Sequence, residues 1–345
     1  MAYTEILTTH GLTAEQWDNQ LFEEYLSMLW WKNLMGTSQS AVIQVKDELT
    51  KQPGDAITIG LRGQMIGGKV TGNTKGVGNE GSVDFYSQRV TIDNVRHLIK
   101  IWDVPMTQKR VGFNVLQEAK NALTEKSQID LEDAITTALV DTSSGRVAGR
   151  YIYGVSAYNA THATALAQID GTNDMLTSSL ISIAKRKCLI PVNATAKVRP
   201  MKVKNGKNFE EWFTLVGHPL AIRDLVDNDA AYRNAQLNLP PRGNDSPLFT
   251  GASFKGSHNG VLIYEYDRIP LVSSTVQCAH NLLLGAQAGA VVWGQRSKFG
   301  EEEEDVKHNM IYETHEIRGV AKLVFNRATE EDQGVVHVFS AAVAD

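Results

Sequence analysis

The stretch that decides the fold spans residues 56–106 and reads AITIGLRGQMIGGKVTGNTKGVGNEGSVDFYSQRVTIDNVRHLIKIWDVPM. It opens with the alternating apolar pattern of a strand, carries eight glycines from Gly60 to Gly81, and returns in strand-like runs over 83–90 and 94–104. The pattern predicts a long hairpin arm with a permissive tip. Since a two-stranded arm cannot bury both of its own faces, we expect it to lie on another subunit.

The last run of this stretch has apolar side chains on both faces. Leu98 and Trp102 lie on one face, and Ile99 lies on the other. Apolar residues on both faces require cover on both sides, and in an arm we expect a second chain to supply it. The residues predicted to contact a neighbouring subunit, in the arm and in the N-terminal segment, are Trp30, Trp31, Gly67, Gly68, Leu98, Ile99 and Trp102.

A long helix is predicted directly after the arm, from Gly112 to Asp141. Apolar residues from Leu116 to Leu139 form one stripe at helical spacing, and no proline or glycine interrupts the segment. At 1.5 Å per residue the helix should be roughly 40 Å long. A helix of this length suits a rigid rod through a flat subunit.

The segment before the arm is predicted to be helical over residues 14–35. Its apolar residues recur at three- and four-residue steps, and Trp30 and Trp31 close it with two large side chains. The helix could pack on its own body or dock as an N-terminal arm on a neighbour, and the sequence leaves both interpretations open.

The remaining chain has a mixed α/β pattern. Residues 143–171 are predicted to be loop with a short strand at 150–155, and the run 282–293 could be helix or strand. Helices are predicted at 173–186 and 218–227, and strands at 209–217, 260–266, 312–325 and 335–343.

Composition limits the classes of function. The chain has 345 residues, 42% of them hydrophobic, and a net charge of -5, which argues against a protein that mainly grips nucleic acid. Cys188 and Cys278 are too few for a disulfide framework and indicate synthesis in a reducing cytoplasm. No apolar run is long enough for a membrane helix, and no signal peptide is evident.

The motifs that could carry chemistry fail in context. The glycines at 76–81 match a dinucleotide-binding pattern, but a strand follows them where a helix is required. The acidic run 301–305 lacks calcium-loop spacing and is interpreted as a solvated loop. His218 and His258 are interpreted as structural, and the basic cluster 185–187 as a mixed-charge face or a weak phosphate contact. We therefore expect no enzyme, no cofactor and no metal site.

The order of parts resembles the HK97-type major capsid subunit of tailed phages. Four local strings resemble the N4-like major capsid family in particular: Gly54-Asp55, the LIKIW segment at 98–102, Phe249-Thr250-Gly251 before the strand at 260–264, and the apolar run ending at Trp293-Gly294-Gln295. The resemblance covers nearly the whole chain.

This resemblance implies an α+β, HK97-like capsid fold. Its parts would be an N-terminal arm (1–52), an extended β-hairpin loop (53–110), a peripheral domain with the spine helix (111–172), an axial domain (173–297) and a return to the peripheral domain (298–345). Nothing in the sequence places the partners for crosslinking through the arm lysines, so crosslinking is not predicted.

The implied function is self-assembly into an icosahedral phage head around double-stranded DNA. Implied partners are other copies in hexamers and pentamers, a separate scaffolding protein and a portal, with room for a decoration protein; contact with packaged DNA would be weak and nonspecific. The location would be the virion, after synthesis in the bacterial cytoplasm. Two alternatives stay open: an HK97-fold nanocompartment shell, and an α/β enzyme whose site the sequence does not reveal.

Overall fold

The structure is a computed structural model that describes residues 29–47, 54–63, 65–112, 114–143, 146–155, 158–190, 197–205, 208–237, 253–305, 308–325 and 331–344. Of the helix predicted over 14–35, residues 14–28 lie outside the described residues. The described α-helices are Val104–Arg110 (α1), Val115–Val140 (α2), His162–Ala167 (α3), Ser178–Leu189 (α4), Pro219–Asn228 (α5) and Ala230–Leu237 (α6).

The strands of the first third of the chain are Met35–Gly36 (β1), Ile43–Lys46 (β2), Ala56–Arg62 (β3), Phe85–Thr91 (β4) and Asp93–Ile101 (β5). The later strands are Tyr151–Tyr153 (β6), Met201–Asn205 (β7), Asn208–Gly217 (β8), Phe254–His258 (β9), Val261–Glu265 (β10), Leu271–Ser273 (β11), Gln277–Leu284 (β12), Gly289–Glu304 (β13), Asn309–Lys322 (β14) and Val335–Ala341 (β15).

The predicted rod is present as α2, the spine helix. Asn114 caps it by accepting hydrogen bonds from the backbone N–H groups of Leu116 (3.1 Å) and Gln117 (3.3 Å). Its 26 residues extend about 39 Å. Leu123 and Leu131 are fully buried on one side of the helix, against the sheet below. The stripe read from the sequence is therefore the face that holds the helix in place.

A five-stranded sheet carries the spine helix. Its order is β1-β2-β13-β14-β5, and the long strands β13 and β14 form an antiparallel pair along nearly their whole length. Strand β5 pairs with β14 from Asp93 to Ile101. The expectation that this run belongs to the arm is therefore wrong, because its backbone completes the edge of the body's sheet.

A larger sheet holds the second core. Its order is β6-β15-β12-β8-β10-β9, with β11 added on β12 and β7 on β8. Helices α4 and α5 bury Leu180, Ile181 and Leu225 against it. β15 pairs with β12 here, so the last strand joins the larger sheet.

The ambiguous run 282–293 consists of the end of β12, a turn and the start of β13. Every residue in it is buried, which explains the continuous apolar pattern of strands covered on both faces. Two further expectations need correction. Glu301–Glu304 continue β13 and are not loop, and helix α3 lies within the segment predicted to be loop.

Candidate intersubunit surface

The hairpin β3–β4 is anchored to the body at its base. Ile57 and Ile59 are buried against Val292 and Phe325. The Gln88 side chain donates a hydrogen bond to the Lys322 carbonyl (2.8 Å) and accepts bonds from the N–H groups of residues 324 (2.7 Å) and 325 (3.0 Å). The base of the arm is therefore fixed by this chain's own residues.

The hairpin tip, defined as residues 63 and 65–84, extends beyond this support. The backbone groups of Ile66 and Ser82 exchange hydrogen bonds of 2.8 Å. Met65 and Ile66 are 63% and 62% exposed, Val77 is 86% exposed, and Phe85 at the root of the tip is 76% exposed. These apolar side chains were not among the contact residues predicted from the sequence. The signal was available, because apolar residues in so glycine-rich a stretch cannot be buried by their own hairpin.

The two glycines predicted at the tip have different local roles. Gly67 has a φ of +146°, and a Cβ there would lie 2.6 Å from the Gly81 Cα across the hairpin. Gly68 has no heavy atom within 4 Å of its would-be Cβ. Gly67 is therefore required because the two backbones of the hairpin approach closely there, while the open space at Gly68 leaves its backbone accessible to a neighbouring subunit.

A second exposed apolar patch lies at the end of β5. Leu98 is 55% exposed and Trp102 is 65% exposed, and the Lys100 ammonium lies 4.1 Å from the centre of the Trp102 ring. Ile99, on the opposite face, is half-buried against the cluster formed by Leu123 and neighbouring residues of the spine helix and β14. The two faces predicted for this run are correct, but the spine helix of the same chain covers one of them.

Trp30 and Trp31 lie in a short 3-10 helix, Trp30–Leu34, and not at the end of an α-helix, because Leu29 is extended. Trp31 is fully buried, and Trp30 packs on Tyr266 with ring centres 4.4 Å apart. The backbone N–H of Trp30 donates to Glu132 of the spine helix (2.8 Å). The expected contact of Trp31 with a neighbour is therefore wrong, because its own subunit encloses the side chain.

A charged layer lies between the spine helix and β14. Arg318 forms ion pairs with Asp130 of the helix (2.6 Å) and with Glu316 of its own strand (2.8 Å). Burial raises the pKa of Glu316 to about 7, although Arg318 offsets part of this effect. Burial also lowers the pKa of His97, which lies 3.8 Å from Asp130. The Arg318 guanidinium thus forms ion pairs with two carboxyl groups.

A second buried charge network joins the two sheets. His280 and His337 share a hydrogen bond of 2.7 Å, and Asp332 accepts from His337 and from Lys322, each at 2.9 Å. Burial lowers the pKa of both histidines. Burial alone would raise the pKa of Asp332, but the hydrogen bond from His337 and the charge of Lys322 keep it below its usual value. The network locks β12, β14 and β15 together.

The remaining motifs lack the geometry of a reactive site. Residues 76–81 form an exposed turn, His218 caps α5, and His258 lies 3.2 Å from the Ser182 hydroxyl. Cys188 and Cys278 are free and buried, which raises the pKa of both thiols. Within the described part of the chain, no cluster of His, Cys, Asp and Glu could hold a metal ion, and no helix is long and apolar enough to span a membrane.

The subunit thus combines an arm with an uncovered apolar tip, a rod-like helix on a long sheet and a second α/β core. A model of the phage capsid protein family matches residues 6–344. The chain belongs to the phage capsid protein family. It is a coat protein and hence a component of the virion.

Individual relatives agree with this family. The chain is 23% identical to the major capsid protein of Pseudomonas phage KPP25, over 96% of both chains. The capsid of cyanophage Pam1 superposes with a TM-score of 0.76 at 24% identity, covering 91% of this chain and 92% of that one. The capsid of Ralstonia phage GP4 gives 0.76 at 21% identity, covering 92% of each. These neighbours confirm the HK97-like fold of this capsid protein, while the N4-like subfamily stays a prediction.

Proposed function

We propose that this capsid protein forms hexamers and pentamers that close an icosahedral head around a double-stranded DNA genome. The observation that carries the proposal is the hairpin tip. Met65, Ile66 and Phe85 are all more than 60% exposed, although the base of the same hairpin is well packed. A neighbouring subunit would supply the cover that these side chains lack, and their burial would stabilise the contact.

The Leu98–Trp102 patch would be a second part of the same interface. It lies on the uncovered face of β5, whose other face is held by the spine helix. In this arrangement, residues 111–172 and 298–345 supply most of the peripheral domain, and 173–297 most of the axial domain. The boundary is not strict, because Ile152, Val336 and Val338 pack in the core of the larger sheet together with residues of 173–297.

The proposed partners follow from the role of a shell. A separate scaffolding protein would guide assembly, a portal would occupy one vertex, and a decoration protein could add to the outside. The net charge of -5 favours weak, nonspecific contact with packaged DNA. We infer synthesis in the bacterial cytoplasm and no catalytic role.

The test is assembly of the purified chain, alone and with a co-expressed scaffolding protein, followed by electron microscopy. Wild-type protein should give closed shells or capsomers. The double variant Met65→Ser, Phe85→Ser should remain folded but assemble poorly. The matched control is Val155→Ser, since Val155 is also apolar and 70% exposed but lies outside the tip. Strictly monomeric wild-type protein under all of these conditions would contradict the proposal.

A further inference from the structure

A basic cleft lies where the root of the hairpin tip meets the larger sheet. One part, with a cavity volume of about 640 Å³, is lined by Arg62, Arg199 and Met65 among others. An adjoining part of about 470 Å³ shares Arg199 and adds Lys202 and Glu211. Among the described lining residues, Arg62, Arg199 and Lys202 are positive and Glu211, which lies opposite Lys202 on the neighbouring strand, is the one carboxylate. The lining of the cleft therefore carries a net positive charge.

The geometry of the cleft is fixed by the backbone. The Arg199 guanidinium donates a hydrogen bond to the Arg62 carbonyl (2.9 Å), which ties the axial segment to the hairpin. The Arg199 carbonyl accepts from the backbone N–H of Ala286 (2.7 Å), just before β13 begins. These backbone contacts hold the cations in place near the first residues of β13.

The opposite end of β13 carries the opposite charge. Five consecutive acidic residues, 301–305, occupy the end of the strand and its turn, and four of them are exposed. Lys100 pairs with Glu304, and the run of five acidic residues keeps a net negative charge beside this single lysine. With β14 as its antiparallel partner, this end is a narrow hairpin, defined as the acidic tip (residues 301–305).

The acidic tip cannot reach the cleft of its own chain. β13 runs from Gly289 to Glu304, which at 3.3 Å per residue separates its two ends by up to about 50 Å. Its pairing with β14 shifts register on either side of Gln295 but continues without a break from Lys298 to Glu304, so the strand does not fold back toward its own beginning. A contact between the two charged features must therefore join two copies, and such a head-to-tail contact repeats from subunit to subunit.

We propose that the acidic tip of one copy inserts into the basic cleft of another. The proposal rests on the proposed shell function, since it names one contact within the assembly. Charge complementarity selects the acidic segment as the occupant. Packaged DNA is the alternative anion for the cleft, and duplex binding by the cleft variant distinguishes the two occupants.

A disulfide test examines the contact without needing a complete shell. Chains with Lys202→Cys are mixed with chains carrying Glu302→Cys under oxidising conditions. Both native cysteines are buried, so the introduced thiols react selectively. The expected product is a covalent heterodimer on a nonreducing gel. The control mixes Lys202→Cys with Glu118→Cys, an exposed carboxylate on the spine helix, and should give little product. Equal yields from both mixtures would overturn the proposal.

A charge exchange tests the same contact in assembly. The pair Arg62→Glu, Lys202→Glu and the pair Glu301→Lys, Glu302→Lys should each lower the assembly rate at least about tenfold through like-charge repulsion. Combining all four changes in one chain should restore assembly, because both sides are then reversed. Absence of rescue, or loss of duplex binding by the cleft variant alone, would overturn the proposal in favour of another occupant. If wild-type protein forms normal shells but the cysteine variants give no crosslink, the proposed shell function stands and the contact between the acidic tip and the basic cleft is refuted.

Discussion

Replacing Trp102 by alanine tests whether the exposed face of β5 is an interface. The ring is 65% exposed in the subunit, so a neighbour could still cover most of it. An aromatic side chain buries up to about 250 Å², and covering the exposed part at about 25 cal/mol/Å² would contribute up to about 4 kcal/mol per contact. Among the described residues, the ring has a cation–π contact with Lys100, whose loss would cost about 0.5–1 kcal/mol.

Ile101 provides the matched control one residue away. It is 8% exposed and packs with Leu123 and Tyr312 beneath the spine helix. Truncation to alanine should therefore lower the free energy of unfolding of the subunit by about 2–4 kcal/mol. Trp102→Ala should lower it by about 1 kcal/mol or less and instead reduce assembly strongly.

The assay combines urea unfolding of dissociated subunits with light scattering and electron microscopy of the assembly reaction. The two variants should separate: Ile101→Ala unfolds at lower urea, and Trp102→Ala fails to assemble. The reasoning would be refuted if Trp102→Ala assembled at the wild-type rate, or if its subunit lost as much stability as that of Ile101→Ala.

Three further predictions concern the tip and the buried charges. Amide exchange at 65–82 should be fast in free subunits and slow in shells, because ordering the tip costs about 1–2 kcal/mol per residue that a neighbour must offset; equal rates would contradict this. Gly67→Ala should destabilise the tip by about 1–3 kcal/mol through backbone clash, whereas Gly68→Ala should leave the free subunit unchanged, as measured by limited proteolysis. The pKa of Glu316 is raised from 4.5 to about 7 in the folded subunit, so its contribution to stability is complete below pH 4.5 and is lost as the pH rises to 7. Urea unfolding at several pH values should show that Glu316→Gln removes about 3 kcal/mol of this pH dependence. An unchanged dependence of the free energy of unfolding on pH in the variant would refute the assignment.

Local pattern alone determined several parts of this protein. The spine helix was predicted over 112–141 and found at Val115–Val140. A long apolar stripe at helical spacing, without proline or glycine, favours an amphipathic helix that packs on one face. The first strand of the arm and its glycine-rich tip were also correct, because alternation and glycine density act over a few residues. The resemblance in the order of parts was enough to indicate the capsid family.

Only the tertiary structure decided what covers each face. The alternating pattern of β5 is the same whether its cover is a neighbouring chain or its own spine helix, and the pairing with β14 settles that Ile99 faces inward. Trp31 likewise could have been an arm residue or a core residue until its surroundings were known. Burial, strand pairing and the buried charge layers depend on residues far apart in the chain, and a periodicity of a few residues carries no information about such distant partners.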